Sequence, residues 1–303
     1  MEGHLHLRIL GTAAGGGFPQ WNCACSQCSR ARLDGQRTRP RSQAALAVSV
    51  TRKSWYLVNA TPDVRFQIES HPELHPGPEV RQSPIRGILL TDAELDHTIG
   101  LLLLREGAEI DVYATAPVLE ALREDFPVRR VLERYAAFRW EPVVPGEPIW
   151  LDEGRLLVRA FPLGVKRPRY VSGPGDGDWV VGYRFQDADT DRHVVYAPAL
   201  ECWTPELSMQ LTHADAALID GTFWSDDEMS QVGAPGRMAR EMGHLPIAGS
   251  DGSAARLSGL PLGRRIYVHI NNTNPVLDET SSEHRLLVEQ GIEVGRDGME
   301  LEV

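Results

Sequence analysis

Residues 90–101 read LTDAELDHTIGL, and this stretch places three acidic residues and one histidine within six positions. An apolar run over 85–91 predicts a buried strand before them, and another over 99–104 predicts a buried helix after them. Side chains that follow the end of a strand lie on loops that a rigid sheet holds in place. The stretch therefore marks a point where a sheet would present polar groups for chemistry.

The three acids of this stretch alternate along the chain as Asp92, Glu94 and Asp96. In an extended turn alternate side chains point the same way, so their charges would face one another. Like charges this close are tolerated when they are solvated, protonated or bound to a cation. One interpretation is a metal site that also uses His97. The alternative is a solvated helix N-terminus, where acidic residues interact favourably with the helix dipole.

The composition favours a soluble protein with a sizeable core. The chain has 303 residues, of which 42% are hydrophobic, and 31 basic against 42 acidic residues give a net charge of -11. This acidic balance argues against wide contact with nucleic acid. The N-terminus lacks the layout of a signal peptide, and no apolar stretch approaches the roughly 18 residues of a spanning helix. We expect a cytoplasmic protein without membrane insertion.

The order of predicted elements favours an α/β fold class. No low-complexity linker and no readable repeat divides the sequence, so we predict a single domain over 1–303 with a four-layer αββα sandwich. Residues 165–179 are rich in Gly and Pro and predict an exposed functional loop. The predicted strands are 5–12, 42–50, 54–61, 85–91, 109–115, 155–163, 180–188, 192–198, 215–223 and 264–272. The predicted helices are 64–70, 97–106, 116–135, 251–260 and 283–290, and 294–303 resembles a closing hairpin.

Three of the four cysteines form a C-x-C-x2-C cluster, Cys23, Cys25 and Cys28. In a reduced cytosolic chain such a cluster indicates a metal site more often than a disulfide framework. We predict a structural zinc held by three thiolates, with free thiols as the alternative. Cys202 is distant in sequence and is expected to pack in the core.

The acidic stretch resembles a known metal motif. D-x-E-x-D-H over 92–97 has the shape of the H-x-H-x-D-H motif of metallo-β-lactamase-fold proteins, with the two leading histidines replaced by acids. That fold is also an αββα sandwich. Six segments together narrow the resemblance to the PqqB family, which acts in the biosynthesis of pyrroloquinoline quinone (PQQ). They are GGGFPQWNCACSQC, TDAELDHTIGLLLLRE, VVYAPAL, LIDGTFW, MGHLPI and HINNTNP, and they all lie within 11–275.

Acids in place of histidines shift metal selectivity away from zinc and toward iron or manganese. With the resemblance, they imply a single active-site metal. Two histidines and one carboxylate hold non-haem Fe(II) and leave positions open for O2 and substrate. The family implies an iron-dependent, O2-using hydroxylation of the tyrosine ring in a Glu-Tyr-derived PQQ precursor. The candidate ligands are His97, His269 and one of Asp92, Glu94, Asp96 and Asp220.

Two segments depart from the dinuclear hydrolases of the same fold. Residues 196–199 read YAPA where those relatives carry a bridging aspartate, and 162–164 lack their third histidine. A dinuclear hydrolase needs these ligands, so the sequence disfavours one.

Three further residues are candidates for catalysis or support of the metal. His269 precedes a polar run, which indicates a site loop, although a lone histidine at a strand end is often a satisfied core residue. His244 in MGHLPI would move protons, as would Asp96, and the alternative for His244 is a helix cap or surface residue. Asp220 either orients a metal-bound histidine or caps the following turn.

Residues of two loops and one aromatic pair are candidates for binding an acidic substrate. The cations of the 165–179 loop, which include Lys166, would bind carboxylates, with ordinary solvated charge as the alternative. Trp224, beside Phe223, would pack on an aromatic ring or in the core. The predicted substrate-binding residues are Arg167, Arg169, Trp224, Asn271 and Asn274.

The fourth ligand of the predicted zinc site is open. In phosphodiesterase relatives with the same cysteine pattern, it is a histidine three residues after the last active-site histidine. Here that position is Asn272, whose amide oxygen is a poor zinc ligand. The fourth donor is therefore Asn272, another side chain or water.

Three functions fit these residues. The first is the iron-dependent hydroxylase. The second is a carrier that binds PQQ or its precursor and assists its transport to the periplasm, and the third, disfavoured, is a metal-dependent hydrolase. The resemblance implies other PQQ biosynthesis proteins as partners, and a homodimer is a further expectation.

Overall fold

Two seven-stranded sheets form the centre of the computed structural model, which describes residues 4–106, 109–172, 176–234 and 237–303. The strands are β1 His6–Gly11, β2 Ala45–Ser49, β3 Trp55–Val58, β4 Ile85–Leu89, β5 Ile110–Thr115, β6 Phe138–Val143, β7 Pro148–Leu151, β8 Leu156–Gly164, β9 Val180–Asp187, β10 His193–Ala197, β11 Ala216–Asp220, β12 Arg264–Val268, β13 Ile292–Val294 and β14 Glu300–Glu302. The helices are α1 Ser26–Leu33, α2 Val64–Glu69, α3 Leu95–Thr98, α4 Ala116–Ala121, α5 Val128–Leu132, α6 Pro205–Leu211, α7 Glu228–Gln231, α8 Ser253–Ser258 and α9 Ser282–Glu289. Short 3-10 helices cover Pro72–Leu74, Ile99–Leu104, Asp152–Gly154, Arg240–Met242 and Pro275–Leu277.

The two sheets share one pattern of strand directions. The first has the order β14-β1-β2-β3-β4-β5-β6 and the second β13-β12-β11-β10-β9-β8-β7. In the first sheet β3 to β6 run parallel, and in the second β10 to β13 do, while the remaining neighbours are antiparallel. Each sheet therefore has a half whose strands end at a common edge.

Alternate residues of the strands pack into two different cores. On β2, Leu46 and Val48 join a cluster with Tyr183 of β9, which fills the space between the sheets. Ala47 of the same strand faces a second cluster that includes Val118 of α4. Helices α2 and α4 contact strands of the first sheet, and α6 and α9 contact strands of the second. The result is the predicted four-layer sandwich.

Local sequence explains where several helices begin. At α6 the Thr204 side chain accepts a hydrogen bond from Leu207 N at 3.0 Å, and Pro205 occupies the first turn. At α9 Ser281 accepts from His284 N in the same way. Among the described residues, no helix is long and apolar enough to cross a membrane.

The structure corrects several predicted elements. The helix predicted over 116–135 is two helices, α4 and α5, because Pro127 precedes the second. The predicted hairpin at 294–303 is wrong, because β13 pairs with β12 whereas β14 pairs with β1 in the other sheet. Strands β6 and β7 lie in a region without a predicted strand. The helix predicted over 97–106 is mostly a 3-10 helix, and residues 173–175 of the predicted loop lie outside the described residues.

Candidate metal centre and substrate pocket

The candidate site lies where strands of both sheets end. Helix α3 follows β4 of the first sheet and carries His97, while Asp220 ends β11 and His269 follows β12 of the second sheet. The 3-10 helix Ile99–Leu104, which directly follows α3, lies close to the end of β3, since Gly100 N donates to Ala60 O at 2.8 Å. A Cβ on Gly100 would lie 2.6 Å from that oxygen, so this close approach requires glycine.

His97 is held by the first acid of the opening stretch. Its side chain is 2% exposed, and Nδ1 lies 2.8 Å from Asp92 Oδ2. An ionised carboxylate only accepts hydrogen bonds, so Nδ1 carries a proton, and in the neutral ring Nε2 carries the lone pair. Nε2 is buried, has no hydrogen-bond partner among the described residues, and lies 3.6 Å from Asp96 Oδ2.

His269 is oriented from the second sheet by an equivalent arrangement. Its Nδ1 lies 2.8 Å from Thr222 Oγ1, which donates its own proton to Asp220 Oδ1 at 2.5 Å. A hydroxyl has one proton, so Nδ1 of His269 must be the donor to Thr222. Nε2 of His269 is likewise buried, without a partner among the described residues, and 3.7 Å from Asp96 Oδ2.

The backbone at His269 is strained, with φ at 55°. A non-glycine residue in this left-handed conformation costs about 1–3 kcal/mol and persists where the surrounding structure holds it in place. Ile270 supplies that hold, because its N–H donates to Thr12 O and its carbonyl accepts from Ala14 N. This backbone conformation directs the imidazole away from the strand and toward Asp96.

Asp96, His97 and His269 therefore converge on one point. One potential ligand atom from each lies within 4.8 Å of the others. Two buried nitrogens without hydrogen-bond partners in the described parts of the chain, both facing one carboxylate, form a donor set that fits a metal ion. The ring edges of His97 and His269 meet at a centroid distance of 5.3 Å. The sequence prediction of two histidines and one carboxylate thus corresponds to these three residues.

The charges around this point favour ionised ligands. Burial opposes ionisation of Asp96, but the neighbouring His97 and His269 lower the pKa of its carboxyl well below the usual range. Burial also opposes protonation of His97, yet Asp92 and Asp96 raise its pKa to about 9. Burial lowers the pKa of His269, and His97 and His244 lower it further. A metal ion would take the place of the proton on His97 and balance the acids.

The other predicted acidic ligands lie outside this set. Asp92 contacts His97 on its Nδ1 side, and its oxygens also accept from Thr91 Oγ1 at 2.8 Å and Glu94 N at 2.9 Å. Glu94 instead faces Lys166, with Oε1 3.7 Å from Nζ. The geometry disfavours the predicted roles of Asp92 and Glu94 as ligands, because one orients His97 and the other lies on the pocket wall.

Asp220 orients two histidines, His244 directly and His269 through the Thr222 hydroxyl. It is fully buried, and its Oδ2 accepts from His244 Nδ1 at 2.7 Å and from Leu200 N at 2.8 Å. Its Oδ1 accepts from the N–H and the hydroxyl of Thr222. Asp220, His244 and His269 also form a close group, but four donors already occupy the oxygens of Asp220. This favours the predicted orienting role of Asp220 over that of a ligand.

A pocket of about 550 Å³ opens over the three converging residues. His244 lines it and stacks on His269 at a centroid distance of 5.5 Å, and Phe223 meets His244 edge-on. The predicted substrate-binding residues Arg167, Arg169 and Asn271 line the same pocket.

Two predicted substrate-binding residues have other positions. Asn274 is fully buried and donates from Nδ2 to Gly221 O at 2.9 Å, so it supports the turn after β11. Trp224 packs against the hydrophobic core, and its backbone N–H donates to Glu228 Oε2. Both predictions are corrected on this geometry, because neither residue is among those that line the pocket.

Three residues of the site were not predicted from the sequence. Thr222 lies two residues after Asp220. At this spacing a threonine hydroxyl often donates a hydrogen bond to the aspartate side chain, so LIDGTFW contained a signal for this residue. Tyr170 and Arg237 line the pocket from two polar loops, and their sequence context carries no signal that would distinguish them from solvated residues.

The predicted thiol cluster is also assembled. Cys23, Cys25 and Cys28 place their sulfurs within 4.8 Å of one another. The Asn272 amide nitrogen lies 3.2 Å from Cys23 Sγ and 3.4 Å from Cys28 Sγ, so Asn272 occupies the fourth side of the cluster. Three sulfurs around one point fit zinc. The expectation that Cys202 packs in the core is wrong, because this cysteine is exposed.

Comparisons with known proteins agree with this fold and site. The model of the beta-lactamase superfamily domain matches residues 54–270, which makes the chain a metallo-β-lactamase-fold protein. Coenzyme PQQ synthesis protein B of Azotobacter vinelandii is 42% identical over 99% of this chain and 100% of the relative. The protein of that name from Methylococcus capsulatus is 41% identical over 97% and 99%. The chain belongs to the coenzyme PQQ synthesis protein B family.

A solved structure supports the same assignment. Zn(2+)-bound PqqB from Methylobacterium extorquens matches with a TM-score of 0.91 and 38% identity, over 98% of this chain and 100% of that one.

Proposed function

We propose that this chain acts in PQQ biosynthesis as a mononuclear, Fe(II)- and O2-dependent hydroxylase. Its substrate would be the tyrosine ring of a Glu-Tyr-derived PQQ precursor. One oxygen atom of O2 would enter the ring and the other would leave as water, with two electrons and two protons supplied by an external two-electron reductant. Family membership supports the pathway. The observation that carries the chemistry is the pair of buried nitrogens, Nε2 of His97 and Nε2 of His269, that face Asp96 without another partner among the described residues.

The metal would be held by Asp96, His97 and His269. Fe(II) in a set of two histidines and one carboxylate supplies a site that binds and activates O2 beside the substrate. The chain's own part is to fix the two imidazoles. Asp92 and Thr222 accept the Nδ1 protons of His97 and His269, so both Nε2 lone pairs point at the site.

His244 is placed to move the proton of a substrate phenol. Its Nδ1 donates to Asp220, which leaves Nε2 as the nitrogen directed away from that carboxylate. Burial opposes ionisation of Asp220, but His244 and the hydrogen bond between them lower the pKa of this carboxyl. With Nδ1 held by Asp220, Nε2 of His244 would accept the phenolic proton.

The pocket wall carries four cations that would contact the carboxylates of an anionic substrate, beside the acidic residues Glu94, Glu201 and Glu241. Lys166, Arg167, Arg169 and Arg237 line the pocket over the candidate metal site. Cations at the mouth of a cleft attract and orient carboxylates. The same pocket favours the second candidate, a carrier for PQQ or its precursor, since tight binding of an anion needs no metal. The hydrolase is disfavoured, because the four donors on Asp220 leave a second metal without that ligand.

Several broader predictions accompany this proposal. The single domain over 1–303, the cytoplasmic location, the homodimer and the partnership with other PQQ biosynthesis proteins stay predictions.

Anaerobic reconstitution with Fe(II), followed by O2 uptake with a cross-linked Glu-Tyr diamino acid and ascorbate as the two-electron reductant, tests the hydroxylase after subtraction of the uptake without substrate. We expect substrate-coupled uptake in the wild type, loss of iron and uptake in His97→Ala and His269→Ala, and full uptake in the exposed control His75→Ala. Iron content is measured separately by elemental analysis. Substrate binding without uptake, equal in the wild type and in His97→Ala, would contradict the hydroxylase and favour the carrier.

A further inference from the structure

Glu94 and Lys166 form a loose acid–base pair on the wall of the pocket. Both residues line the cavity that opens over His97 and His269. Lys166 Nζ lies 3.7 Å from Glu94 Oε1, which is beyond hydrogen-bond distance. Their side chains are 38% and 37% exposed, so a ligand in the pocket can reach both charges.

The backbone holds each member of the pair in place. Glu94 is the N-terminal cap residue of α3, where its carbonyl accepts from His97 N at 3.0 Å while its side chain makes no cap hydrogen bond. The stem of Lys166 crosses Gly243, where an added Cβ would lie 2.6 Å from Lys166 Cδ. Gly243 has a φ of 81°, a left-handed conformation that favours glycine.

A carboxylate and an ammonium side by side complement one particular chemical group. In an α-amino acid a single carbon atom separates the ammonium from the carboxylate. One such head group can place its ammonium beside the Glu94 carboxylate and its carboxylate beside the Lys166 ammonium. Each of the four charged groups then has a neighbour of opposite charge. Each contact is then a charge-assisted hydrogen bond, stronger than the loose pair that it replaces.

We propose that Glu94 and Lys166 bind the α-amino-acid head group of the substrate. This inference rests on the proposed function, because it assigns the tyrosine-derived part of the precursor a defined orientation in the same pocket. The head group lies on the pocket wall, and the ring extends toward Asp96, His97 and His269.

The identity of the cation agrees with this role. Of the 31 basic residues in the chain, only Lys53 and Lys166 are lysines. Arginine presents a planar fork that matches a carboxylate in two hydrogen bonds, whereas lysine presents a compact charge. A compact charge can contact Glu94 and a ligand carboxylate at the same time.

Three probes that differ in one charged group test the head-group site. L-tyrosine carries both charges, tyramine lacks the carboxylate, and 3-(4-hydroxyphenyl)propionate lacks the ammonium. Calorimetric titrations use full-length Zn(II)-loaded protein, so that no oxidation takes place. We expect wild-type protein to bind L-tyrosine about tenfold or more tightly than either fragment.

Two variants should separate the two contacts. In Glu94→Gln, binding of L-tyrosine and tyramine weakens about tenfold, while the propionate changes by less than about twofold. In Lys166→Met, binding of L-tyrosine and the propionate weakens, while tyramine is unchanged. The control Lys53→Met, at an exposed position, binds all three probes like the wild type. Equal weakening of the three probes, or none, indicates a structural pair and overturns the proposal.

The small number of lysines gives a readout that needs no loss of charge. Reductive methylation with labelled formaldehyde places NMR-visible methyl groups on Lys53, Lys166 and the N-terminus, and it keeps their charge. The resonance absent from Lys166→Met identifies Lys166. We expect L-tyrosine, and the cross-linked Glu-Tyr diamino acid, to shift this resonance and not that of Lys53. A Lys166 resonance that neither compound moves overturns the proposal.

The head-group site and the hydroxylase can fail separately. The probe and NMR experiments require no O2 chemistry, so probe-selective binding without substrate-coupled uptake refutes the hydroxylase and retains the amino-acid site. Substrate-coupled uptake with unselective binding refutes the head-group site and retains the hydroxylase.

Discussion

Thr222→Val tests whether the buried hydroxyl holds His269 in its metal-binding orientation. Valine keeps the shape of the side chain and removes the hydroxyl that links Asp220 Oδ1 to His269 Nδ1. Asp220 keeps three donors, but His269 Nδ1 loses the partner that fixes its proton. The imidazole can then rotate or change tautomer, and Nε2 no longer points reliably at Asp96.

The structure sets the size of the expected effects. A lost hydrogen bond to a charged group, together with a buried nitrogen left unsatisfied, amounts to about 2–4 kcal/mol in the free energy of unfolding. Loss of a group that orients a metal-bound histidine typically lowers metal affinity about 10–100-fold. Thr222→Ser keeps the hydroxyl and should retain most of both quantities.

The chain contains a matched control for this substitution. Thr280 donates to Asp278 Oδ1 from its N–H at 2.9 Å and from its hydroxyl at 2.7 Å, which is the same Asp-x-Thr turn. Thr280 is exposed, and its N–H and hydroxyl both donate to Asp278, which is not a candidate ligand. Thr280→Val should therefore lower stability by about 1 kcal/mol or less and leave metal affinity unchanged.

Urea unfolding and competition of the metal-loaded protein with a chromophoric chelator measure the two quantities. The reasoning is refuted if Thr222→Val binds the active-site metal within about twofold of the wild type. It is also refuted if Thr222→Val and Thr280→Val weaken metal binding equally, because the effect would then be unrelated to His269.

Three other substitutions test separate features. Burial raises the pKa of the Glu228 carboxyl from 4.5 to about 7, so the folded protein favours the neutral form. The contribution of this group to the free energy of unfolding is therefore complete below pH 4.5 and is lost as the pH rises through 7. Glu228→Gln should match the wild type near pH 4.5 and be more stable by on the order of 3 kcal/mol near pH 8.5, and an equal difference at both pH values contradicts this. Cys25→Ser should lose one zinc per chain by elemental analysis and melt at a lower temperature, whereas the exposed Cys202→Ser should not. Gly100→Ala should lower the free energy of unfolding in urea by about 2 kcal/mol or more, because its Cβ would lie 2.2 Å from a backbone oxygen. The control Gly259→Ala, whose Cβ would have its nearest contact at 3.8 Å, should not lower it. Similar losses in the two variants would exclude the close approach as the cause.

Local patterns in the sequence were sufficient for most strands and for the fold class. The strands β1 and β2 are largely apolar runs of six and five residues, and such runs depend little on distant parts of the chain. Strand β6, FRWEPV, was not predicted, because charged residues and a proline interrupt it at the edge of its sheet. The C-terminal residues were predicted as a hairpin because pairing between sequence neighbours is the usual expectation. The two sheets instead take one strand each.

The sequence by itself determined the kinds of ligands, the thiol cluster and the class of fold. The spacing of D-x-E-x-D-H and C-x-C-x2-C is local, so a single loop or turn carries it. Only the tertiary structure decided which carboxylate faces the histidines. Asp92, Asp96 and Asp220 are equivalent as residue types, and they differ in which donors already occupy their oxygens. Those donors come from both sheets, and their approach depends on long-range packing that no local pattern records.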